Sequence, residues 1–339
     1  MSIGNVISDA GQAGTPAGNP QPHYDLRPLS TGEVLDRTFQ IYRSRFALFA
    51  GLALLPAAVN VIVTAIRLVY TAHQSAHVHS GLALYRVQGV TGLLLIAASL
   101  ISFVLYGIMH AATTWAVSSV YLGEIASIKA AYRVGFRHWF RYTVIMLRQV
   151  WASIWLFMVL LMAAVLTSVA ARRVGGGLGW LTILLIVLAG LSLIYGMWAY
   201  FRISLAVPAA VVESSAVRAS LRRSAQLLAS RKVRIFLLFL LLLALYIVVG
   251  MIQSPLAILT MRAHGAQAFV SQGINLAVSF VAATLIGPVW AIGVCLFYFD
   301  ERVRREGFDI EWMMRKLAPA DPIVTEPPAL TQENSVEPA

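Results

Sequence analysis

Five polar residues recur on one face of an apolar stretch in the first half of the chain. They follow one another at offsets of 0, 3, 7, 11 and 14 residues, which is helical spacing: Ser99, Ser102, Tyr106, His110 and Thr113. An ionisable side chain within a membrane is costly, so His110 raises the hypothesis of a polar cavity or pathway. The alternative, which we favour, is ordinary hydrogen bonding between packed helices with neutral His110 as one partner.

A second pattern places cations at steps of four residues, at Lys129, Arg133, Arg137 and Arg141. Bulky apolar residues occupy another face of the same predicted helix: Ile125, Ile128, Tyr132, Phe136 and Trp139. A helix of this kind lies in the membrane interface, with its cations among the lipid phosphates. Each such cation contributes about 1 kcal/mol with anionic lipid. The pattern therefore predicts a lipid-binding surface, although ordinary membrane anchoring also accounts for it.

A third pattern is the charged segment DERVRREGFDIE near the carboxyl end. Its spacing pairs Asp300 with Arg304, and Glu301 with Arg305, one helical turn apart. Exposed pairs of this kind are weak and common, so the segment predicts a solvated, self-paired helix end that stops at Gly307. The alternative is a recognition element that binds phosphate or a partner through Arg302, Arg304 and Arg305.

Enzyme chemistry has few candidate residues. Metal-assisted phosphodiester hydrolysis needs several carboxylates and a base close together, but Glu124 and Glu213 each stand alone beside basic segments. His73, His77 and His79 cluster in a predicted loop but have no identified carboxylate, so they make a weak metal site. The single cysteine excludes an intramolecular disulfide. We expect no enzyme activity, no metal and no cofactor.

The elements that position these residues are transmembrane helices. Of 339 residues, 59% are hydrophobic and 12% charged, which excludes a water-soluble fold. Stretches with few or no charges are long enough to cross a bilayer core of about 30 Å. They run at 47–66, 90–118, 149–171, 179–201, 235–260 and 274–299. The sequence predicts an all-α polytopic membrane bundle with six transmembrane helices.

The distribution of cations predicts the orientation of the bundle. Of the 26 Lys and Arg residues, 21 fall in the segments that one side of the membrane would carry. Short cytoplasmic loops carry the excess of positive charge, so both termini should be cytoplasmic. The net charge of +11 then reflects the membrane, and nucleic acid is not an expected partner.

Glutamates at similar intervals suggest an internal repeat. Glu33, Glu124 and Glu213 are 91 and 89 residues apart, and each opens a basic segment that leads into a predicted span. The membrane domain, 29–317, is thus predicted to contain three units, each an amphipathic helix followed by a transmembrane hairpin. The flanking segments 1–28 and 318–339 are rich in Gly, Pro and polar residues and are predicted to be disordered tails.

Three stretches of the chain resemble a known family. They are LRPLSTGEVLDRTFQIYRSRF at 26–46, VPAAVVESSAVRASLRRSAQLLASRKVRIF at 207–236 and LFYFDERVRREGFDIEWM at 296–313. They are similar to the glycerophosphoryl diester phosphodiesterase membrane domain family of bacterial integral membrane proteins. In that family the membrane domain occurs either fused to a catalytic barrel or alone. The 23 residues after Lys316 leave no room for a barrel, so the resemblance implies no phosphodiesterase activity here.

These observations favour a non-catalytic membrane module of a bacterial inner (plasma) membrane. Its expected partners are membrane lipids, anionic ones above all, or a cytoplasmic or membrane protein. A transporter or channel for a small solute or lipid is the alternative, through the face that carries His110. A lipid-processing enzyme is less favoured, because a lone histidine offers no nucleophile and base pair.

Overall fold

The computed structural model describes residues 27–75, 81–173, 179–228, 232–262, 266–310 and 314. Within these residues the chain forms helices and no strand. In chain order the helices are α1 (Thr31–Ser44), α2 (Phe46–Ser75), α3 (Gly81–Tyr121), α4 (Ile128–Arg137), α5 (Trp139–Arg173), α6 (Gly179–Ile203), α7 (Ala206–Val212), α8 (Val217–Leu227), α9 (Lys232–Arg262) and α10 (Ala266–Glu306).

Six of the described helices are long and apolar enough to cross a membrane: α2, α3, α5, α6, α9 and α10. The chain is therefore a multi-pass membrane protein of the all-α class, and the predicted fold class is confirmed. The two longest, α3 and α10, have 41 residues each. At about 1.5 Å per residue they are about 60 Å long and extend well beyond the hydrocarbon core. The sequence left open whether 89–123 forms one helix, and α3 runs unbroken through Tyr121.

The long helices form three consecutive hairpins, α2 with α3, α5 with α6 and α9 with α10, and the two helices of each hairpin pack together. A short helix, α1, α4 or α8, precedes each hairpin. These three helices, α1, α4 and α8, lie where the first helix of a hairpin begins and the second ends. We call this end of the bundle the basic end, because most of the cations are there.

Helix α10 is the central helix of the bundle. It contacts α2, α3 and α9, and 56% of its most apolar window is buried, against 11–28% in the other five spans. Small residues allow this close packing, since a Cβ added at Gly293 would lie 2.7 Å from the side chain of Leu238 on α9. The helix ends at Glu306, and the next residue, Gly307, has a φ of +63°, the left-handed conformation that glycine adopts readily.

Helix α1 begins with a capping box. The side chain of Ser30 accepts a hydrogen bond from the Glu33 amide, and Glu33 Oε2 accepts one from the Ser30 amide at 2.6 Å. The Ser30 amide, the Ser30 hydroxyl and the Arg27 guanidinium together lower the pKa of Glu33 to about 2. The predicted disordered tails, apart from Arg27 and Pro28, lie outside the described residues, as do His77 and His79 of the histidine cluster.

Candidate functional site at the basic end

Asp300 lies at the centre of a buried ion-pair network near the end of α10. Its side chain is fully buried and accepts a hydrogen bond from the Leu29 amide at 2.7 Å. Arg234 at the start of α9 contacts the same carboxylate at 2.7 Å, and Arg304 contacts it at 3.1 Å. Both guanidinium groups also donate to the Leu29 carbonyl. The network thus joins the segment before α1, the start of α9 and the end of α10.

The neighbouring Glu301 is also fully buried. Arg305 pairs with one of its carboxylate oxygens at 3.3 Å, and Arg234 lies 3.6 Å from the other. Arg305 further donates to the Gln226 carbonyl in α8. The predicted pairs Asp300 with Arg304 and Glu301 with Arg305 are therefore present, but their carboxylates are buried rather than solvated. Burial arises because chain segments distant in sequence pack over them.

A second branch of the network connects the α7–α8 turn to α10. Glu213 accepts a hydrogen bond from the Tyr298 hydroxyl at 2.6 Å and pairs with Arg223 at 2.9 Å. Arg223 also pairs with Glu306 at 2.5 Å, and Arg302 contacts Glu306 at 3.1 Å. The Arg302 guanidinium lies 4.3 Å from the centre of the Phe308 ring. Each of the three predicted phosphate-binding arginines of α10 thus already contacts a carboxylate.

The contacts of this network join three segments that are far apart in sequence. Leu29 bonds to Asp300 and Arg234 across 271 and 205 residues. Glu213 and Tyr298 are 85 residues apart, and Arg234 and Asp300 are 66 residues apart. These residues hold the basic end of the bundle together.

Helix α4 presents a different kind of surface. Lys129, Arg133 and Arg137 are exposed, and the described part of the chain offers them no ion-pair partner. The fourth residue of the predicted stripe, Arg141, instead donates to the carbonyls of Ser214 and Ser215 at 3.1 and 3.3 Å. Three of the four predicted cations are therefore available to an external ligand.

Helix α4 packs on the bundle through its small residues. Ala131 and Gly135 are buried, and a Cβ added at Gly135 would lie 2.8 Å from the Ile108 carbonyl oxygen of α3. Tyr132 donates a hydrogen bond to the Leu52 carbonyl at 2.5 Å. The bulky residues beside the cations remain exposed: Ile125, Ile128, Phe136, Trp139 and Phe140. A stripe of free cations thus borders an exposed aromatic and aliphatic surface.

Helix α8 contrasts with α4. Its apolar residues Val217 and Leu221 pack against a buried cluster of the protein, and Ser220 and Ser224 are buried beneath it. Arg218 and Arg222 are exposed, one helical turn apart. This helix therefore carries exposed cations without the neighbouring exposed aromatic residues that α4 has.

The predicted polar face of α3 divides between two pockets. Ser99 and Ser102 line a small pocket between α2 and α3. Tyr106 and His110 line a larger cavity of about 320 Å³ that lies nearer the basic end. Thr113 is fully buried and lines neither pocket, and its hydroxyl has no hydrogen-bond partner among the described residues.

Sequence reasoning missed two groups of residues. It gave no role to Arg234, because nothing local indicates that this arginine reaches a carboxylate 66 positions later. It also missed Gln149 and Tyr246, which line the same cavity as His110 from α5 and α9. An isolated glutamine in an apolar stretch is a usable signal, but the pattern of one helix does not indicate which helices adjoin it.

Within the described residues there is no group of three or more His, Cys, Asp or Glu side chains that could hold a metal ion. Neither a protein-family description, nor a curated protein, nor a solved structure matches this chain.

Proposed function

We propose that this protein is a non-catalytic membrane module that binds anionic lipid headgroups through α4. The observation that carries the proposal is the exposed stripe Lys129, Arg133 and Arg137 beside exposed Phe136 and Trp139. Aromatic residues favour the interface between lipid and water, where the phosphates are. Cations held at that depth attract anionic lipids, and added salt weakens this attraction by screening the charges.

The ion-pair network supports a structural rather than a catalytic role for the carboxylates at the basic end. Asp300, Glu301 and Glu306 each pair with an arginine, and Glu213 pairs with Arg223. A general acid or base needs a carboxylate that is free to exchange a proton with a substrate. We extend the proposal to an inner-membrane location with both termini in the cytoplasm, because the basic end carries the excess of cations.

The test compares two charge-neutralised variants with matched spacing. In Arg133→Gln/Arg137→Gln two of the three exposed cations of α4 are removed, and in Arg218→Gln/Arg222→Gln the two exposed cations of α8 are removed. The proteins are reconstituted in nanodiscs of phosphatidylglycerol and phosphatidylcholine, and co-purified lipid is counted by native mass spectrometry. At low salt the α4 variant should lose up to about 2 kcal/mol of the free energy of headgroup binding at this surface. This loss corresponds to an affinity about 30-fold lower.

The α8 variant controls for net charge. If both variants lose phosphatidylglycerol equally, the total charge matters and α4 has no special role. If neither loses it, and α4 instead retains a soluble protein from the cytoplasm in crosslinking, the surface is a protein-binding site and the lipid proposal fails.

A transporter or channel for a small solute or lipid is the second candidate. It is favoured by the two pockets along the polar face of α3. Ser99 and Ser102 line one pocket, and Tyr106 and His110 line the other. A polar face that reaches successive pockets is what a pathway across the membrane requires.

A further inference from the structure

A cavity of about 320 Å³ lies among α3, α5, α6, α9 and α10. Its volume falls within the range of about 300–1,000 Å³ that is usual for ligand sites. Most of its lining is apolar, with Met109, Met146 and Leu242 among the contacts, and none of the described residues that line it carries a formal charge. A charged ligand would be desolvated there without a counter-charge, so the cavity favours a neutral one.

His110 brings an unpartnered ring nitrogen to this cavity. The residue is only 8% exposed, and its buried Nδ1 has no hydrogen-bond partner in the described part of the chain. A neutral imidazole has one donor and one acceptor, and leaving such groups unpaired away from water is costly. The residue is thus poised to bond a polar group that enters the cavity.

Three further polar groups line the same cavity. Tyr106, Tyr246 and Gln149 contribute from three different helices. The Gln149 amide nitrogen already donates to the Ile203 carbonyl at 2.7 Å, which fixes the orientation of that side chain. A few placed polar groups in an apolar cavity are the usual arrangement of a small-molecule site.

The depth of the cavity points to a ligand that comes from the membrane. His110 lies 11 residues before the end of α3, about 16 Å along the helix from the basic end. Leu243 and Tyr246 of α9 are 41% and 54% exposed and form part of the rim of the cavity. Both residues lie within the membrane span Arg234–Thr260, so we expect their exposed side chains to face lipid chains. Entry past this rim requires a lipid-soluble molecule.

We propose that this cavity binds a neutral, lipid-soluble molecule that carries a hydroxyl group, with the hydroxyl bonded to His110. A hydroxyl both donates and accepts, so it satisfies either tautomer of the imidazole. The apolar body of the ligand fills the Met- and Leu-lined part of the cavity. This site is distinct from the lipid-binding surface of α4, and the two proposals stand or fall separately.

The test uses a long-chain fatty alcohol that carries a diazirine within the chain and a terminal alkyne. The full-length protein in phosphatidylcholine nanodiscs is irradiated with this probe, and the labelled residues are located by mass spectrometry. Labelling of the cavity residues on α3 and α9 is divided by labelling of the exposed face of α6. In His110→Phe this ratio should fall about five-fold, as expected for the loss of one neutral hydrogen bond. Thr113→Val, on the same helix but outside the cavity, should leave the ratio unchanged.

A second cavity variant and a second probe test whether the labelling depends on the cavity and on the hydroxyl. Leu243→Trp adds bulk at the exposed rim, where folding is least affected, and should reduce labelling of the cavity as strongly as His110→Phe. The same probe without the hydroxyl should not distinguish His110→Phe from the unmodified protein. Equal labelling of the unmodified protein and both cavity variants would overturn the proposal. So would an equal loss in Thr113→Val, because the effect would then reflect a general loosening of α3.

Discussion

At the scale of single residues, Asp300 links segments that are far apart in sequence. Its carboxylate is fully buried and bonds to the Leu29 amide, 271 residues away, and to Arg234 and Arg304. These arginine side chains are only 15% and 23% exposed. Removing the negative charge would leave both guanidinium groups poorly compensated in a mostly buried position, which is costly.

We therefore expect Asp300→Asn to lower the free energy of unfolding by about 3–5 kcal/mol, the range for breaking a buried pair. The measurement is unfolding in mixed detergent micelles, followed by circular dichroism. Asp36→Asn makes the same chemical change at an exposed position of α1 and should cost no more than about 0.5 kcal/mol. Similar losses in the two variants would show that the network around Asp300 adds little to stability.

Which contacts of this network could be predicted depends on their distance in sequence. The pairs Asp300 with Arg304 and Glu301 with Arg305 follow from helical periodicity and are present. Their burial does not follow, because it depends on Leu29 and Arg234, which reach the site through tertiary packing. A local pattern specifies neighbours on one helix and carries no information about what packs over them.

At the scale of elements, the two helices of the second hairpin approach closely at one glycine. A Cβ added at Gly196 of α6 would overlap the backbone oxygen of Ser153 on α5. Gly190, nearly two turns earlier on α6, has open space at the corresponding position. The same helix thus contains one glycine required by packing and one that packing does not require.

Opposite effects are expected when each of these glycines is replaced by alanine. Gly196→Ala should destabilise the protein by about 1–3 kcal/mol, because the two helix backbones must move apart. Gly190→Ala should be neutral or stabilising by up to about 1 kcal/mol, since alanine favours the helix. The midpoint of thermal unfolding in detergent would measure both. A stabilised Gly196→Ala variant would contradict the close approach of α5 and α6.

The short helices show which features of an element its sequence can predict. The pattern of α4 separates cations from bulky apolar residues, and the structure keeps both sets exposed on neighbouring faces except for Tyr132, which is half-buried. The face that packs on α3 consists of Ala131 and Gly135. Hydrophobicity alone does not identify that face, because within a membrane small residues pack against protein while large apolar residues are equally stable against lipid.

At the scale of the whole molecule, the six spans were predictable because crossing a bilayer requires long uncharged helices. The neighbours of each span were not, since apolar residues on every side of a helix do not distinguish protein from lipid. The cavity around His110 illustrates this, because Tyr106 and His110 share a face of α3 but their partners come from four other helices. The polar face could therefore be predicted and the cavity could not.

Charge asymmetry predicts how the bundle is inserted, and accessible cysteines can test it. In a Cys295→Ala background, single cysteines replace Ser44 and Ala219 at the basic end, and Arg172 and Gln267 at the opposite end; all four positions are exposed. A membrane-impermeant maleimide applied to intact cells should label the second pair only. The first pair should react only after the membrane is permeabilised, because the excess of cations predicts that the basic end faces the cytoplasm. Labelling of Ser44→Cys and Ala219→Cys in intact cells would reverse the orientation and place the α4 cations on the outer leaflet.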